Sequence, residues 1–251
     1  MRFRSFIPYS GLFAFVFLAA SASALAQSAS FAVSQNGKSV GTASFNIVSK
    51  PTGYESTSIV RVDMQGLNYQ LSKTEQLSAS NILLHVQLSA IINNSAVNVV
   101  AKPDATQFLL NISANGRAST TRLDAHNHAV FLPDFDPGAL ETLLALAAGS
   151  NNRDLWAIIP KQAGTIEPIQ LATYPDEQGT LDGKPVTVHH LVATIAGNTT
   201  DLFAGPDNQL LQAELPQQGF ALVRTGFVLT PPTRPLAPPP APTTAPPSPT
   251  N

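Results

Sequence analysis

The chain has 251 residues, 43% of them hydrophobic and only 12% charged, with 21 prolines, no cysteine and a formal net charge of −2. An average soluble domain is about 25% charged, so Ser, Thr, Asn and Gln must solvate most of this surface. Its 14 Lys and Arg lie singly along the chain and form no basic footprint for nucleic acid, and without cysteine a zinc ribbon, thiol enzyme, disulfide scaffold or acylated N-terminal Cys is excluded.

In chain order, Arg2 and Arg4 precede an apolar run from Phe6 to Ala20 and small residues ending in Ala24-Leu25-Ala26. Those are the three parts of a secretory signal peptide, cut between Ala26 and Gln27. Its core, interrupted by Pro8, Ser10 and Gly11, falls short of the roughly 20 apolar residues that span a bilayer. The organisation expected is a signal peptide over 1–26, one domain over 27–230 and a tail over 231–251. The mature chain is expected in the periplasm, with no transmembrane segment.

Side-chain alternation dominates the domain. Ala43, Phe45 and Ile47 point one way, as do Val60, Val62 and Met64, then Leu67, Tyr69 and Leu71. Ile82, Leu84, Val86, Leu88, Ala90 and Ile92 keep strict period two and predict a long strand with one buried face. Val97 and Val99 follow, then Phe108, Leu110 and Ile112, then Val186, Val188, His190 and Val192, and last Phe220, Leu222 and Arg224. Turn signals separate these runs at Asn36-Gly37, Gln65-Gly66, Asn93-Asn94, Asn115-Gly116, Asp182-Gly183 and Pro206-Asp207-Asn208. Short turns imply antiparallel neighbours. About eleven strands are too many for a small flat sheet, so the fold class is mainly β: a curved antiparallel half-barrel.

One segment breaks the pattern. Leu140, Leu143, Leu144 and Ala147 form a helical stripe, with Asp136 as N-cap, Pro137 at the first helical position and Gly149 as left-handed terminator. This predicts a helix over 137–148 whose stripe is buried on the concave side of the sheet. Beyond the domain, ten of the last 21 residues are proline, so the tail should be extended, solvated and disordered, with no specific partner; the functional alternative is a spacer or a ligand for a proline-recognising partner in the envelope.

The opening Phe31-Ala-Val-Ser-Gln-Asn-Gly37-Lys-Ser-Val-Gly41-Thr-Ala-Ser-Phe45-Asn-Ile47 and the closing Leu210-Leu211-Gln-Ala-Glu214-Leu-Pro-Gln-Gln-Gly219-Phe-Ala-Leu-Val-Arg224 resemble uncharacterised secreted bacterial domains. Those are related in fold to the periplasmic lipoprotein carriers of the LolA and LolB type. The resemblance implies an eleven-stranded half-barrel holding a hydrophobic cavity under helices. Asp207-Asn208-Gln209 departs from it where a glycine is usual, and no catalytic residues carry over.

Candidate chemistry is sparse. If Asp124 to Val130 is extended, Asp124, His126 and His128 share a face, a spacing that suits Zn(II) or Cu(II) and would allow a metal-dependent hydrolase. His189 and His190 face opposite sides of a strand, and His190 shares the apolar face of Val188 and Val192, as a packed histidine would. Asp134 and Asp136 form a pair in a loop, but Asp136 already has a capping role. There is no G-x-S-x-G elbow and no phosphate-cradling loop, and the sequons at Asn93, Asn111 and Asn198 are unremarkable in a chain this rich in Asn, Ser and Thr. The reading is therefore a non-enzymatic envelope protein with no cofactor and no resident metal, binding a lipid or acyl chain against Phe45, Leu84, Val86, Leu88, Phe108, Leu110, Leu143 and Trp156. The same residues would equally build a closed core without a cavity. An adaptor acting through strand edges and the proline-rich tail is the alternative outside the ligand-binding class.

Overall fold

The computed structural model describes residues 27–231 except 151, 152 and 162; the segment read as a signal peptide and residues 232–251 of the tail lie outside them. Eight strands come first: β1 (Gln27–Gln35), β2 (Lys38–Lys50), β3 (Gly53–Met64), β4 (Leu67–Ser78), β5 (Leu83–Ile92), β6 (Ser95–Asp104), β7 (Gln107–Ala114) and β8 (Arg117–Asp124). A crossover follows, made of β9 (Ala129–Phe131), helix α1 (Pro137–Ser150) and β10 (Leu155–Ile159). The second half holds β11 (Thr165–Thr173), β12 (Glu177–Leu181), β13 (Lys184–Ile195), β14 (Asn198–Ala204), β15 (Leu210–Leu215), β16 (Phe220–Arg224) and β17 (Phe227–Leu229).

Each of β1 to β7 pairs antiparallel with the next, turning through residues that tolerate positive φ, as at Asn36 (49°) and Gly37 (76°). The second meander returns to the first where β16 lies antiparallel to β1, with Phe31 opposite Arg224 and Gln35 opposite Phe220. One large curved sheet results, running from β8 through β1 and β16 to β13, β11, β10 and β9. It is not closed: β8 and β9 are its two edges, and the loop after β10 reaches towards β8, where Thr121 Oγ1 donates to the Ala163 carbonyl at 2.6 Å. Alone among the described pairs, β9 and β10 are parallel. A parallel pair needs a crossover, and α1 is that crossover, placed inside the curve.

The inward faces of the strands and the helix form one core, from Phe31, Val60 and Leu71 through Leu143 to Leu202 and Leu222. On the convex side, β12 and β17 pair and fold over the sheet, enclosing a satellite cluster of Val188, Phe203, Leu211 and Phe227. Leu210 belongs to the main core and Leu211 to the satellite, as alternation demands.

The mainly β class, the curved antiparallel sheet and the helix within it match expectation, but the described residues form seventeen strands rather than about eleven. The missed strands carry no alternation: β8 is Arg-Ala-Ser-Thr-Thr-Arg-Leu-Asp, polar on both faces; β9 is three residues buried on both; β14 opens on Asn-Thr-Thr-Asp. Gly149 does not terminate the helix, which continues through Ser150. In β5 the pairing with β4 slips between Gln76 and Leu77, a bulge that turns Leu83 inward and Leu84 outward, leaving Leu84 43% exposed.

Gly138 sets how closely the helix docks. A Cβ there would run into Ser58 Oγ and come within 3.1 Å of Phe45 Cβ, whereas one at Gly149 meets nothing within 4 Å. Gly138→Ala should therefore destabilise the fold by about 1–3 kcal/mol through overpacking. Gly149→Ala should add about 0.5–1 kcal/mol through helix propensity. Denaturant unfolding of the two variants tests both signs.

Candidate functional site

The inner wall where α1 begins is unexpectedly polar. β4 points Tyr69, Leu71, Lys73, Glu75 and Leu77 into the barrel, and opposite them on β3 Ser58 faces Lys73 while Ser56 faces Glu75. Lys73 Nζ lies 2.9 Å from Glu75 Oε2 and 2.7 Å from Asp136 Oδ2, with no exposed area on any of the three side chains. The contact with Oδ2 is close but at an angle outside the hydrogen-bonding range. Asp136 caps the helix as expected, its Oδ1 accepting from the amides of Gly138 (2.9 Å) and Ala139 (3.2 Å). Glu75 Oε1 and the hydroxyls of Ser56 and Ser58 have no partner among the described residues.

Burial pushes the Glu75 carboxyl up despite the lowering effect of Lys73. Burial works against the charge of Lys73 too, but Asp136 and Glu75 together outweigh it and hold the ammonium above the ordinary lysine value. One cation among two carboxyls is thus balanced when Glu75 keeps its proton. A second buried carboxyl, Glu141, ties the helix to the sheet: Oε2 accepts from Leu210 N at 2.7 Å and Oε1 from Gln27 Nε2, and burial pushes this carboxyl up as well.

Helix α1 packs mainly on β2, β3, β9, β10 and β15, which leaves the wall of β5 to β7 to other cover. There a cleft of about 290 Å³ opens between Leu88, Ala90, Val99 and Ile112 on the sheet and Pro133 and Pro160 on the crossing loops. A second cavity, about 140 Å³, lies among Leu132, Phe135, Leu140, Ile195 and Leu222. Pro133, Asp134 and Lys161 line both. Lys161 Nζ pairs with Asp134 Oδ1 at 2.9 Å at the surface, and the Tyr69 hydroxyl donates to the Asp134 carbonyl at 3.3 Å. Burial, then Asp134 and Asp136, keep that phenol protonated well above its ordinary range. Phe135, at φ 57°, lies edge-on between Tyr69 and Phe220.

Of the residues expected to line a groove, Leu88 does so. Phe45, Val86, Phe108, Leu110 and Leu143 are inside, but as packed core away from the cleft. Leu84 faces outward for the reason given above. Trp156 is a half-buried residue near the start of β10, its indole stacked 3.7 Å from His126 and donating to Asp154 Oδ1. That contact, and the turn between β8 and β9, undo the metal reading: Asp124 to Val130 is not one extended strand. Among the described residues no three His, Asp or Glu side chains gather to hold a metal ion. His190 is packed as expected, between Phe203 and Tyr174, with Asp201 and Glu177 on its two ring nitrogens at 2.9 and 3.3 Å. Asp134 and Asp136 have separate surroundings, one at the surface and one buried with Lys73. The Lys73–Glu75 pair was legible in principle, because carrying the parity of Leu67, Tyr69 and Leu71 on to Leu77 puts both residues on the buried face.

No protein-family model matches the chain, and no curated protein aligns with it. A solved structure does: the crystal structure of a beta-barrel-like protein of domain of unknown function DUF1849 from Brucella abortus superposes with a TM-score of 0.52 at 10% identity, covering 82% of this chain and 98% of that one. At that identity the likeness shows a barrel-like fold. Among the described residues no helix is long and apolar enough to cross a membrane.

The raised carboxyls give a pH dependence. A carboxyl that is harder to ionise in the fold than out of it stabilises the native state fully below its ordinary value of 4.5, and that stabilisation is lost as pH rises through the folded value. Each unit of upward shift contributes about 1.4 kcal/mol. Melting temperature should carry a falling component as pH rises from 4.5, and a Glu75→Gln, Glu141→Gln double variant should flatten it.

Proposed function

We propose that the protein is a secreted, periplasmic, non-enzymatic envelope protein that holds an acyl chain of a lipid against the concave face of its sheet. The observation that carries this reading is the cleft of about 290 Å³ on the wall that α1 leaves bare, lined by Leu88, Ala90, Val99 and Ile112. That volume stands near the lower end of small-molecule pockets, which begin at about 300 Å³. The resemblance of the chain's two ends to relatives of the lipoprotein carriers of the LolA and LolB type points the same way, as does the signal-peptide pattern of residues 1–26.

Binding here is transfer of methylenes from water to an apolar wall, about 0.8 kcal/mol for each one buried. The Lys161 ammonium at the mouth is 60% exposed and pairs with an Asp134 carboxylate that is itself 39% exposed. Such a pair contributes little to stability, so an anionic head group can take the place of Asp134 at low cost. The strap formed by Pro133, Asp134 and Lys161 separates this cleft from the 140 Å³ cavity, and movement of the strap would join the two for a longer chain.

Displacement of a fluorescent fatty acid from the purified full-length chain tests the reading. Ala90→Trp, which fills the cleft from the sheet side, should weaken binding by about tenfold or more, equivalent to about 1.4 kcal/mol, with the circular-dichroism spectrum unchanged. Lys161→Glu should weaken binding of the fatty acid but not of the alcohol of equal chain length. A wild-type protein that binds neither probe would overturn the proposal.

A further inference from the structure

The buried triad at the start of α1 has the makings of a reaction. Lys73 Nζ stands 2.7 Å from Asp136 Oδ2, so the carboxyl carbon is one bond further on, and Glu75 Oε2 lies 2.9 Å from the same nitrogen. All three side chains are sealed from solvent. The remaining Asp136 oxygen, Oδ1, is held by the amides of Gly138 and Ala139 at the positive end of the helix. A nucleophile, a carbonyl with two amide donors on its oxygen and a proton carrier are thus assembled in a dry pocket, the arrangement that acyl transfer requires.

We propose that this triad is a self-modification site, in which Lys73 and Asp136 condense to an intramolecular isopeptide bond with Glu75 carrying the protons. The ammonium first passes a proton to Asp136, turning a charged pair into an amine and a carboxylic acid; the two carboxyls favour the charged pair, so this neutral form is the minor one, and it is the one that reacts. Nζ then bonds to the Asp136 carboxyl carbon, and the negative charge that develops on Oδ1 is met by the Gly138 and Ala139 amides. Glu75 takes one proton from Nζ and delivers one to Oδ2. The bond from the carboxyl carbon to Oδ2 breaks, one water leaves, and Glu75 ends in its starting state. No oxidant or second reactant enters.

The product fits its surroundings better than the reactants do. The amide oxygen keeps both hydrogen bonds of Oδ1, two buried charges disappear, and the Ser56 and Ser58 hydroxyls, unpartnered beside the site, can receive the water. The upward push of burial on Glu75 suits a group that must both give and take a proton. Mechanically, the bond would staple β4 to the first turn of α1.

Tryptic digestion of the unfolded full-length chain, followed by fragmentation mass spectrometry, decides the matter. The expected result is that trypsin does not cut after Lys73 and that the peptides holding Lys73 and Asp136 appear joined, at their summed mass less one water. Glu75→Gln should yield the two peptides unlinked. A wild-type digest with free, cleaved Lys73 and an unmodified Asp136 peptide overturns the proposal without recourse to any variant. Complete linkage in Glu75→Gln overturns the role given to Glu75.

Discussion

The Lys73–Asp136 contact is the constraint on which the arrangement of the molecule depends. It joins the middle of the longest-paired part of the sheet to the first turn of its one described helix, and through Asp136 Oδ1 it also satisfies two of the helix's free amides. An ion pair wholly out of water is a poor source of net stability, because desolvation of both groups offsets most of the attraction. What it does supply is discrimination. A helix with apolar residues on most of its surface can slide or rotate inside an apolar barrel at little cost, but as the chain folds, and before any bond joins the two, a shift that separates Asp136 from Lys73 strands two charges in a dry interior.

Once that point is set, the rest of the concave side follows from lengths. Fourteen helical residues rise ~21 Å, whereas the 12 or 13 residues of β2 to β4 reach ~40 Å. A helix anchored to β2, β3 and β4 at its start and to β1 and β15 through Glu141 cannot also cover β5, β6 and β7. The loops on either side of the crossover, residues 132–136 and 160–161, take over the cover there, and loops with two prolines between them pack less completely than a helix does. The cleft is the remainder of that mismatch.

The outline of the fold was legible because antiparallel strands with one wet face write their orientation into the chain. Tyr69 and Leu71, or Phe108, Leu110 and Ile112, alternate as their burial does. Strands lacking two unlike faces left no such record: β9 is buried on both, β8 is polar on both, and in β10 the apolar run Leu155-Trp-Ala-Ile-Ile hides its alternation. Leu84 failed for a different reason, since a bulge is one extra residue and period two has no way to announce it. The deepest feature of the interior was concealed by its own chemistry. Lys73 and Glu75 look like solvent-facing residues and mark the apparent end of a strand that in fact continues to Ser78.

The scarcity of charge takes on a different meaning in this light. Lys73, Glu75, Asp136 and Glu141 are all buried, so the exterior has fewer ions than the composition suggests. A sheet whose outer face is Ser, Thr, Asn and Gln invites edge pairing with other chains. Protection is concentrated where the edges are. β8 carries Arg117, Arg122 and Asp124, and the opposite edge, β9, is only three residues long and fully buried. The Thr121–Ala163 bridge then holds the open side nearly shut. On the exposed edge strand β8 charge opposes association, and in the interior it fixes the helix.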